Sequence, residues 1–194
     1  MALKICVFSS SSDSVDPAFF SLAEELGREI AARGHVLVYG GTNVGLMGAL
    51  ARAARQGGGK VVGVIPKFIA DRGLAFEAAD ELIVTNDMRQ RKATMEARAD
   101  AFVALPGGFG TLEEMLEIIT LKQLHQHTKP VVFLNSGGYY DPLISLFEHM
   151  YEHHFAKPAS RVMYEFAADV KTALDYLDHY QPVALPAKWT GVAQ

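Results

Sequence analysis

Short apolar runs alternate along the chain with longer segments whose apolar residues recur every three or four positions. Short apolar runs bounded by polar or glycine-rich turns are typical of strands that are buried on both faces. They predict strands at residues 3–8, 35–39, 60–65, 81–85, 101–105 and 130–134, with a further extended piece at 162–166. The longer segments predict helices at residues 17–34, in an alanine-rich stretch ending near 57, and at 87–98, 115–121, 142–154 and 168–180. Residues 67–80 have weak periodicity and predict an irregular connection with a short helical piece.

Strands that alternate with helices in this way indicate a mainly parallel sheet with helices on both faces. The chain has 194 residues, enough for one α/β domain with its own core, and it contains neither a linker nor an internal repeat. We therefore predict a single doubly wound, Rossmann-like domain over residues 1–194. In such folds ligands bind at the carboxyl ends of the strands. The loops at residues 9–14, 40–48 and 106–114 each follow a predicted strand, so they are expected to face one cleft.

Composition and charge narrow the class of protein. The formal net charge is −4 and the pI is near 6.0, which argues against a surface that coats nucleic acid. The single cysteine, Cys6, falls in an apolar run and is expected to be buried, and one cysteine forms no disulfide framework. The N-terminus lacks signal-peptide features, and no apolar run is long enough to cross a membrane. These features predict a cytoplasmic protein without a nucleic-acid or membrane partner.

The most informative stretch is PGGFGTLEE at residues 106–114, between a predicted strand and a predicted helix. Backbone N–H groups and the dipole at a helix start attract an anion such as phosphate, and the three glycines of the loop let the backbone approach it closely. Glu114 has two interpretations. With Thr111 it fits a capping box, in which its carboxylate would accept a hydrogen bond from the Thr111 N–H. Beside a ligand that has a phosphate at one end and a developing cation further along, Glu114 would instead take part in chemistry.

Two other loops are candidate ligand contacts. The serine-rich loop at residues 9–14 contains Ser11, whose hydroxyl would bond to a phosphate or ribose; alternatively, the loop is solvated and caps the next helix. The loop at residues 40–48 has the spacing GGxxxGxxG instead of the dinucleotide fingerprint GxGxxG. No acidic residue closes the next strand, so an NAD site is not expected. We expect Gly41 to lie near the ligand.

The helix predicted at residues 87–98 places Met88, Arg91 (or Lys92) and Met95 on one face. The methionines are expected to point inward, so the arginine between them either extends to the helix edge or lies in a polar cleft. The alternative is a surface pair between Asp87 and Arg91, which would contribute little to stability. Because a buried arginine needs polar partners, this face favours a functional cleft.

Three motifs together resemble the LOG ("Lonely Guy") family, which also carries the label "lysine decarboxylase-like". Met88-Arg-Gln-Arg-Lys92 matches MxxRK, and the loop at residues 106–114 matches PGGxGTxxE. Tyr39-Gly-Gly with Gly45-Leu-Met-Gly48 matches YGGxxxGLMG, so the resemblance covers nearly the whole chain. It implies a cytokinin riboside 5′-monophosphate phosphoribohydrolase, which cleaves the N-glycosidic bond of an adenine-type nucleoside 5′-monophosphate. It also implies a homodimer with the site near the subunit interface.

The resemblance assigns roles to residues. Arg91 and Glu114 correspond to the family's catalytic pair. The expected substrate-binding residues are Lys92, Gly107, Gly108, Phe109, Gly110, Thr111, Leu112, Glu113, Thr120, Ser11, Gly41 and Met88. Our hypothesis places the 5′-phosphate on the N–H groups of residues 107–111 and the Thr111 hydroxyl, with Lys92 toward it. Glu114 would stabilise the cationic ribose or activate water, and Arg91 would orient Glu114 or polarise the leaving base.

Two departures from the family pattern leave the substrate open. Ser9-Ser10 stands where many members have Cys-Gly, and the glutamate that plant members use for ligand contact falls near Gly73. N6-modified adenosine monophosphates, plain AMP and a broader set of nucleoside monophosphates are therefore alternative substrates. A different class is a non-catalytic carrier of a nucleotide or of the molybdenum cofactor. Such a carrier would need the phosphate loop but not the pair formed by Arg91 and Glu114.

No metal or cofactor is expected. His125 and His127, and likewise His149 and His153, have spacings that occur in metal sites. However, no cysteine or acidic partner completes either set of ligands. The LOG family, which the chain resembles, needs no metal.

Overall fold

The computed structural model describes residues 2–185, in which seven strands alternate with seven α-helices. The elements are β1 (Lys4–Phe8), α1 (Pro17–Ala32), β2 (Val36–Tyr39), α2 (Gly45–Gln56), β3 (Lys60–Pro66), α3 (Lys67–Ala70), β4 (Glu81–Thr85), α4 (Met88–Arg98), β5 (Ala101–Ala104), α5 (Phe109–Gln123), β6 (Val131–Leu134), α6 (Asp141–Glu152), β7 (Glu165–Ala167) and α7 (Val170–His179). Short 3₁₀ turns occupy Ser136–Gly138 and Pro158–Met163.

The strands form one sheet in the order β4-β3-β2-β1-β5-β6-β7, and every neighbouring pair is parallel. The chain winds outward from β1 through β2, β3 and β4, and then returns to the other side of β1 with β5. Cys6 of β1 accordingly faces Val38 of β2 on one side and Phe102 of β5 on the other. This reversal leaves a crevice outside the carboxyl ends of β1 and β5, where ligands bind in doubly wound sheets.

Side chains of β1 show how both faces of the sheet are covered. Successive residues of a strand point to opposite faces. Ile5 and Val7 belong to a core cluster with residues of α1, α2 and α7. Cys6 and Phe8 belong to a second cluster with residues of α4, α5 and α6. Because both sets are buried, the strand is apolar at nearly every position instead of alternating.

The structure confirms the predicted doubly wound α/β fold. Each of the six predicted strands lies within one residue of its observed ends. Several helix ends differ by one or two residues, and two predicted starts differ by three or more. The extended piece expected at 162–166 begins at Glu165, because the preceding Pro158–Met163 forms a 3₁₀ turn, and α5 begins at Phe109 instead of near residue 115. Residues 1 and 186–194 of the predicted single domain, with most of its predicted proline-containing tail, lie outside the described residues. No helix within residues 2–185 is both long and apolar enough to span a membrane.

Candidate active site

A cavity of about 490 Å³ lies at the carboxyl edge of the sheet. The serine loop after β1, the glycine loop after β2, the α3 region after β3, and the first turns of α4 and α5 surround it. The three loops that were expected to face one cleft therefore do so. The volume falls within the range of about 300–1,000 Å³ that is typical of small-molecule sites.

Arg91 and Glu114 meet in the wall of this cavity. Arg91 Nη1 lies 2.6 Å from Glu114 Oε1, and the two side chains are only 6% and 7% exposed. Arg91 Nε also donates to the carbonyl oxygen of Val64 at 3.1 Å, so β3 and α5 hold the guanidinium from two sides. Asp87 caps α4 by accepting a hydrogen bond from the Gln90 N–H at 2.8 Å. The alternative of a surface pair between Asp87 and Arg91 is therefore wrong, and Arg91 lies in a polar cleft.

The backbone after β2 gives Arg91 its space. A Cβ at Gly40 would lie 2.0 Å from Arg91 Nη2, so only glycine permits this approach. The next residue, Gly41, has a positive φ of 78°. A Cβ on Gly41 would lie 2.9 Å from Ile65 Cβ, so Gly41 packs against β3. The cavity is lined by Gly40 and Thr42, whereas Gly41, which was expected near the ligand, is set back from it.

Burial raises the pKa of the Glu114 carboxyl above its ordinary value. The Arg91 guanidinium opposes this rise through its charge and its hydrogen bond, while the neighbouring Glu113 charge adds to it. Glu114 is therefore a carboxylate with increased proton affinity whose ionised form has a fixed cationic partner. Such a group is suited to accept a proton from water or to stabilise a developing positive charge.

The predicted capping box between Thr111 and Glu114 is wrong. The glycine turn is tighter than expected, so α5 begins at Phe109, with Gly108 as an extended N-cap and no side-chain cap from the described residues. Thr111 is consequently the third helical residue, and Glu114 bonds to Arg91 instead of to the helix start. The first N–H groups of an α-helix have no intrahelical acceptor. The start of α5 is thus an uncapped N-terminus at the cavity, which is the arrangement that binds anions.

Lys92 and Glu113 lie on a different side of these helices. Lys92 Nζ forms ion pairs with Glu113 and with Glu117, the latter at 2.7 Å. Burial opposes the charge of Lys92, but hydrogen bonds with the two carboxylates raise its pKa above the ordinary value. Lys92 and Glu117 line a second cavity of about 270 Å³, which reaches Glu114 from the other side. The structure therefore does not bring Lys92 to the cavity that contains the start of α5.

The other predicted site residues fall into two groups. Those that line the main cavity are Ser11, Met88, Gly108, Gly110 and Thr111. Met88 is 39% exposed, so its predicted inward position is wrong, whereas Met95 is fully buried as expected. Met88 lies in the first turn of α4, where the helix meets the loops of the cavity instead of the sheet.

Four predicted residues lie away from the main cavity. Gly107 lines a neighbouring cavity of about 230 Å³ behind the glycine loop. Phe109 is 95% exposed at the tip of that loop. Leu112 packs against the core cluster that contains Cys6 and Phe8. Thr120 lies further along α5, where its hydroxyl donates to the Leu116 carbonyl at 2.7 Å.

Sequence reasoning missed the contribution of the segment after β3. The residues of this segment that line the main cavity are Phe68, Ile69, Arg72 and Leu74. An antiparallel bridge between Thr42 and Ala75, and a 2.9 Å hydrogen bond from the Asn43 N–H to the Leu74 carbonyl, tie the segment to the glycine loop after β2. Two signals pointed to this segment: the apolar pair Phe68 and Ile69 at its start, and the position near Gly73 where plant members of the resembled family carry a ligand-contacting glutamate.

Other candidate groups lie away from the cavity. Cys6 is fully buried, as expected, and burial raises the pKa of its thiol. His127 is also buried, with Nε2 3.0 Å from the Ile118 carbonyl oxygen. Within residues 2–185, no group of three or more histidine, cysteine, aspartate or glutamate residues is arranged to hold a metal ion.

Comparison with known proteins places the chain in a family. The family model described as "Possible lysine decarboxylase" matches residues 47–177. The rice protein (Oryza sativa subsp. japonica) named probable cytokinin riboside 5′-monophosphate phosphoribohydrolase LOGL2 is 44% identical over 190 residues, covering 96% of this chain and 78% of the relative. Cytokinin riboside 5′-monophosphate phosphoribohydrolase LOG7 of Arabidopsis thaliana is 44% identical over 179 residues, covering 92% of this chain and 82% of the relative.

Solved structures share the fold. The molybdenum cofactor (Moco) carrier protein of Chlamydomonas reinhardtii superposes with a TM-score of 0.69 at 25% identity, over 92% of this chain and 96% of that protein. The fold is therefore common to hydrolases and to a carrier, whereas the sequence similarity is much higher to the hydrolases. Since the family model spans well over half of the chain and the named relatives are 44% identical along nearly all of it, the chain belongs to the LOG family.

Proposed function

We propose that this protein is a phosphoribohydrolase that cleaves the N-glycosidic bond of N6-modified adenosine 5′-monophosphates. The products are the free base, a cytokinin, and ribose 5-phosphate. The proposal rests on one observation: the buried pair of Arg91 and Glu114, 2.6 Å apart, adjoins a cavity that is also lined by the uncapped N-terminus of α5. The rice and Arabidopsis relatives at 44% identity are named for this activity, which belongs to cytokinin biosynthesis.

The start of α5 is the binding site for the 5′-phosphate. Gly108, Gly110 and Thr111 line the cavity there, and the uncapped N–H groups and the helix dipole favour an anion. Ser11, on the loop after β1, also lines this cavity and would supply a hydroxyl to the phosphate. A phosphate held by backbone groups fixes one end of the nucleotide without adding a cation next to Arg91.

The base lies at the opposite end of the cavity, against the α3 segment. The strands that carry the two ends, β5 and β3, are three strand positions apart in the sheet. At about 4.8 Å between neighbouring strands, the two ends are about 14 Å apart, which suits an extended nucleoside monophosphate. Phe68, Ile69 and Leu74 give this end an apolar wall, which favours a base with an apolar N6 substituent.

Glu114 lies between these two ends and acts on the ribose. Cleavage of an N-glycosidic bond develops positive charge on the sugar, and a fixed carboxylate stabilises that charge. Its raised pKa also suits Glu114 to take a proton from the attacking water. Arg91 holds the carboxylate in place and keeps it ionised through the 2.6 Å bond. The nucleotide leaves as free base and ribose 5-phosphate, with the elements of water added across the broken bond.

We further propose that the protein is a cytoplasmic homodimer with the sites near the subunit interface. Phe109 and Leu116 are 95% and 41% exposed along α5, the helix that carries Glu114 on its inner side. A second copy packed on this stripe would cover it and would lie close to the glycine loop. Sedimentation velocity tests this, since Leu116→Lys should give monomers if the stripe is the interface.

The buried, lone Cys6 suits a reducing compartment, and fractionation of the source cells tests the location.

Base release, followed by chromatography, tests the proposed activity. The purified protein is incubated with isopentenyladenosine monophosphate, AMP and other nucleoside monophosphates. Glu114→Gln and Arg91→Ala should each abolish base release while the far-ultraviolet circular dichroism and melting curve still show a folded protein. Matched controls are Glu152→Gln, exposed on α6, and Arg98→Ala, which removes a surface ion pair, and both should retain turnover. Turnover in either site variant would contradict the assignment, and absence of base from every nucleotide would favour a carrier.

A further inference from the structure

Two adjacent tyrosines hold the phosphate-binding loop from behind. The Tyr139 hydroxyl donates to the Gly107 carbonyl oxygen at 2.8 Å. The Tyr140 hydroxyl donates to the Leu105 carbonyl oxygen at 2.7 Å. Both tyrosines follow β6, in a glycine-containing turn to which the proposed reaction gives no role. Two neighbouring side chains thus bond to carbonyls two residues apart in the segment that leads into α5.

The turn after β6 fixes the position of Tyr139. Gly137 and Gly138 both have positive φ angles, 62° and 75°, so this turn needs glycines. The Asn135 side chain closes the turn, because its Oδ1 accepts a hydrogen bond from the Tyr140 N–H at 2.6 Å. The Tyr139 ring packs edge-on against Phe19, with ring centres 5.5 Å apart. The hydroxyl is therefore held by a packed ring on a constrained turn.

The hydrogen bond to Gly107 determines where the next N–H points. In a planar trans peptide the carbonyl of one residue and the N–H of the following residue point in opposite directions. The structure has no cis peptide within residues 2–185. Tyr139 and Gly107 line the small cavity behind the loop and not the main cavity. With the Gly107 carbonyl directed toward Tyr139, the trans peptide directs the Gly108 N–H away from Tyr139, and Gly108, unlike Gly107, lines the main cavity as well as the small one.

This peptide would otherwise turn over easily. It lies between Gly107 and Gly108, and neither residue has a side chain that resists rotation of the peptide plane. A turned peptide would present a carbonyl oxygen to the cavity, which repels phosphate. The hydrogen bond from Tyr139 stabilises the orientation in which the loop donates.

We propose that Tyr139 is a positioning residue for the substrate phosphate: its hydroxyl anchors the Gly107 carbonyl so that the Gly108 N–H donates to the 5′-phosphate. The ligand follows from the proposed function, on which this inference rests. Tyr140 provides a matched control, because the residue after Leu105 is Pro106, which has no N–H to direct. The two tyrosines thus make similar hydrogen bonds, but only the one from Tyr139 orients a donor.

The test compares Tyr139→Phe with Tyr140→Phe. Calorimetry measures the affinity for ribose 5-phosphate, and steady-state kinetics measure KM and kcat for AMP. Tyr139→Phe should weaken ribose 5-phosphate binding and raise KM by about 5- to 10-fold, the effect of one lost hydrogen bond, with kcat changed less than about twofold. Tyr140→Phe should leave both binding values unchanged. Tyr140 is only 2% exposed, so removing its hydroxyl leaves the Leu105 carbonyl without a hydrogen bond in the protein interior. Tyr140→Phe should therefore lower the melting temperature more than Tyr139→Phe does.

Adenosine, which lacks the phosphate, separates positioning from general damage. Its affinity should be the same in Tyr139→Phe and in the parent protein. Unchanged ribose 5-phosphate affinity in Tyr139→Phe overturns the proposal, as does an equal loss in Tyr140→Phe or an equal loss for adenosine. No binding of ribose 5-phosphate to the parent protein also overturns it. If the parent binds ribose 5-phosphate but releases base from no nucleotide, the proposed function fails, and the affinities of the two variants still decide the role of Tyr139.

Discussion

Replacing Gly40 with alanine should disable the site without removing any of its functional groups. The added Cβ would lie 2.0 Å from Arg91 Nη2 and 2.9 Å from Met47 Sδ, so it would clash with both side chains. Restoring an ordinary contact of 3.4 Å requires the guanidinium to move by about 1.4 Å. Arg91 is held at 2.6 Å by Glu114 and at 3.1 Å by the Val64 carbonyl, so a movement of that size breaks at least one of these bonds.

The size of the effect follows from this displacement. A misplacement of about 1 Å in a catalytic group costs on the order of 100-fold in rate, so kcat/KM for AMP-type substrates should fall by about that factor. Overpacking of a well-filled site costs about 1–3 kcal/mol in the free energy of unfolding. Because the backbone φ of Gly40 is not positive, alanine itself adds no conformational strain there.

A double-mutant cycle tests whether Gly40 acts through Arg91. The free energy of unfolding is measured by urea denaturation for Gly40→Ala, Arg91→Ala and the double variant. Arg91→Ala removes the group that the new Cβ meets, so Gly40→Ala should cost about 1–2 kcal/mol less in that background. Base release is measured in parallel for the single variant. The reasoning fails if Gly40→Ala keeps kcat/KM within about twofold of the parent, or if its cost is the same with and without Arg91.

Three further predictions concern charge and shape. The Glu113 charge raises the pKa of Glu114, so Glu113→Gln should lower that pKa and move the acid limb of the kcat/KM profile to lower pH; a shift to higher pH would contradict the proposed electrostatics. Burial lowers the pKa of Lys122 to about 8. Below pH 8 the buried, charged Lys122 therefore destabilises the fold, and this cost disappears as the pH rises from about 8 to the ordinary lysine pKa of 10.5. Lys122→Met should raise the free energy of unfolding at pH 7 by up to about 3 kcal/mol, less the contribution of the lost hydrogen bond to the Tyr180 hydroxyl, and this gain should be smaller at pH 10. Urea unfolding at both pH values tests this. A loss of stability at pH 7 would show that the hydrogen bond contributes more than the buried charge costs. Phe68→Ala should raise KM for isopentenyladenosine monophosphate by about tenfold and leave KM for AMP nearly unchanged, since it removes apolar wall only, and equal changes for both would place the N6 substituent elsewhere.

The fold was predictable because its signal is local. Each strand is a short apolar run, and burial on both faces leaves that run without the alternation of a half-exposed strand, as in β1, where Cys6 and Val7 are both buried. The order of strands in the sheet is not local, and the sequence predicted only that the sheet is parallel. The carboxyl-edge position of the three loops followed from this alone, without the strand order.

The site was predictable only in part. Apolar neighbours on α4 favoured a basic residue in a cleft, Arg91 or Lys92, but Glu114, the partner of Arg91, is 23 positions away, and only the family resemblance linked the two residues. Gly40 and Gly41 are adjacent and chemically identical in sequence. Their roles differ because Gly41 has the positive φ and turns the chain onto β3, while Gly40 faces Arg91. Distinctions of this kind depend on the backbone path, which composition and spacing do not determine.

Lys92 illustrates the same limit on a helix. It follows Arg91 directly, and adjacent residues of an α-helix point about 100° apart, so the two cations cannot both face one cleft. Arg91 reaches inward to Glu114, and Lys92 is held by Glu113 and Glu117 on the outer side. The motif MxxRK therefore provides one cation for the cavity and one for the contact between α4 and α5 within a single chain.

The early start of α5 resolves the conflict between a phosphate site and a carboxylate on the same helix. If α5 began near residue 115, Glu114 would stand at the helix start and repel the phosphate. Because it begins at Phe109, Glu114 lies five residues inside, about 7.5 Å along the axis at 1.5 Å per residue. In the proposed arrangement the phosphate would meet N–H groups and the Ser11 hydroxyl, while the carboxylate, paired with Arg91, lies further along, where the ribose of the bound nucleotide would be. In the proposed function, one helix would thus provide both the anion site and the catalytic carboxylate, with the ribose between the two.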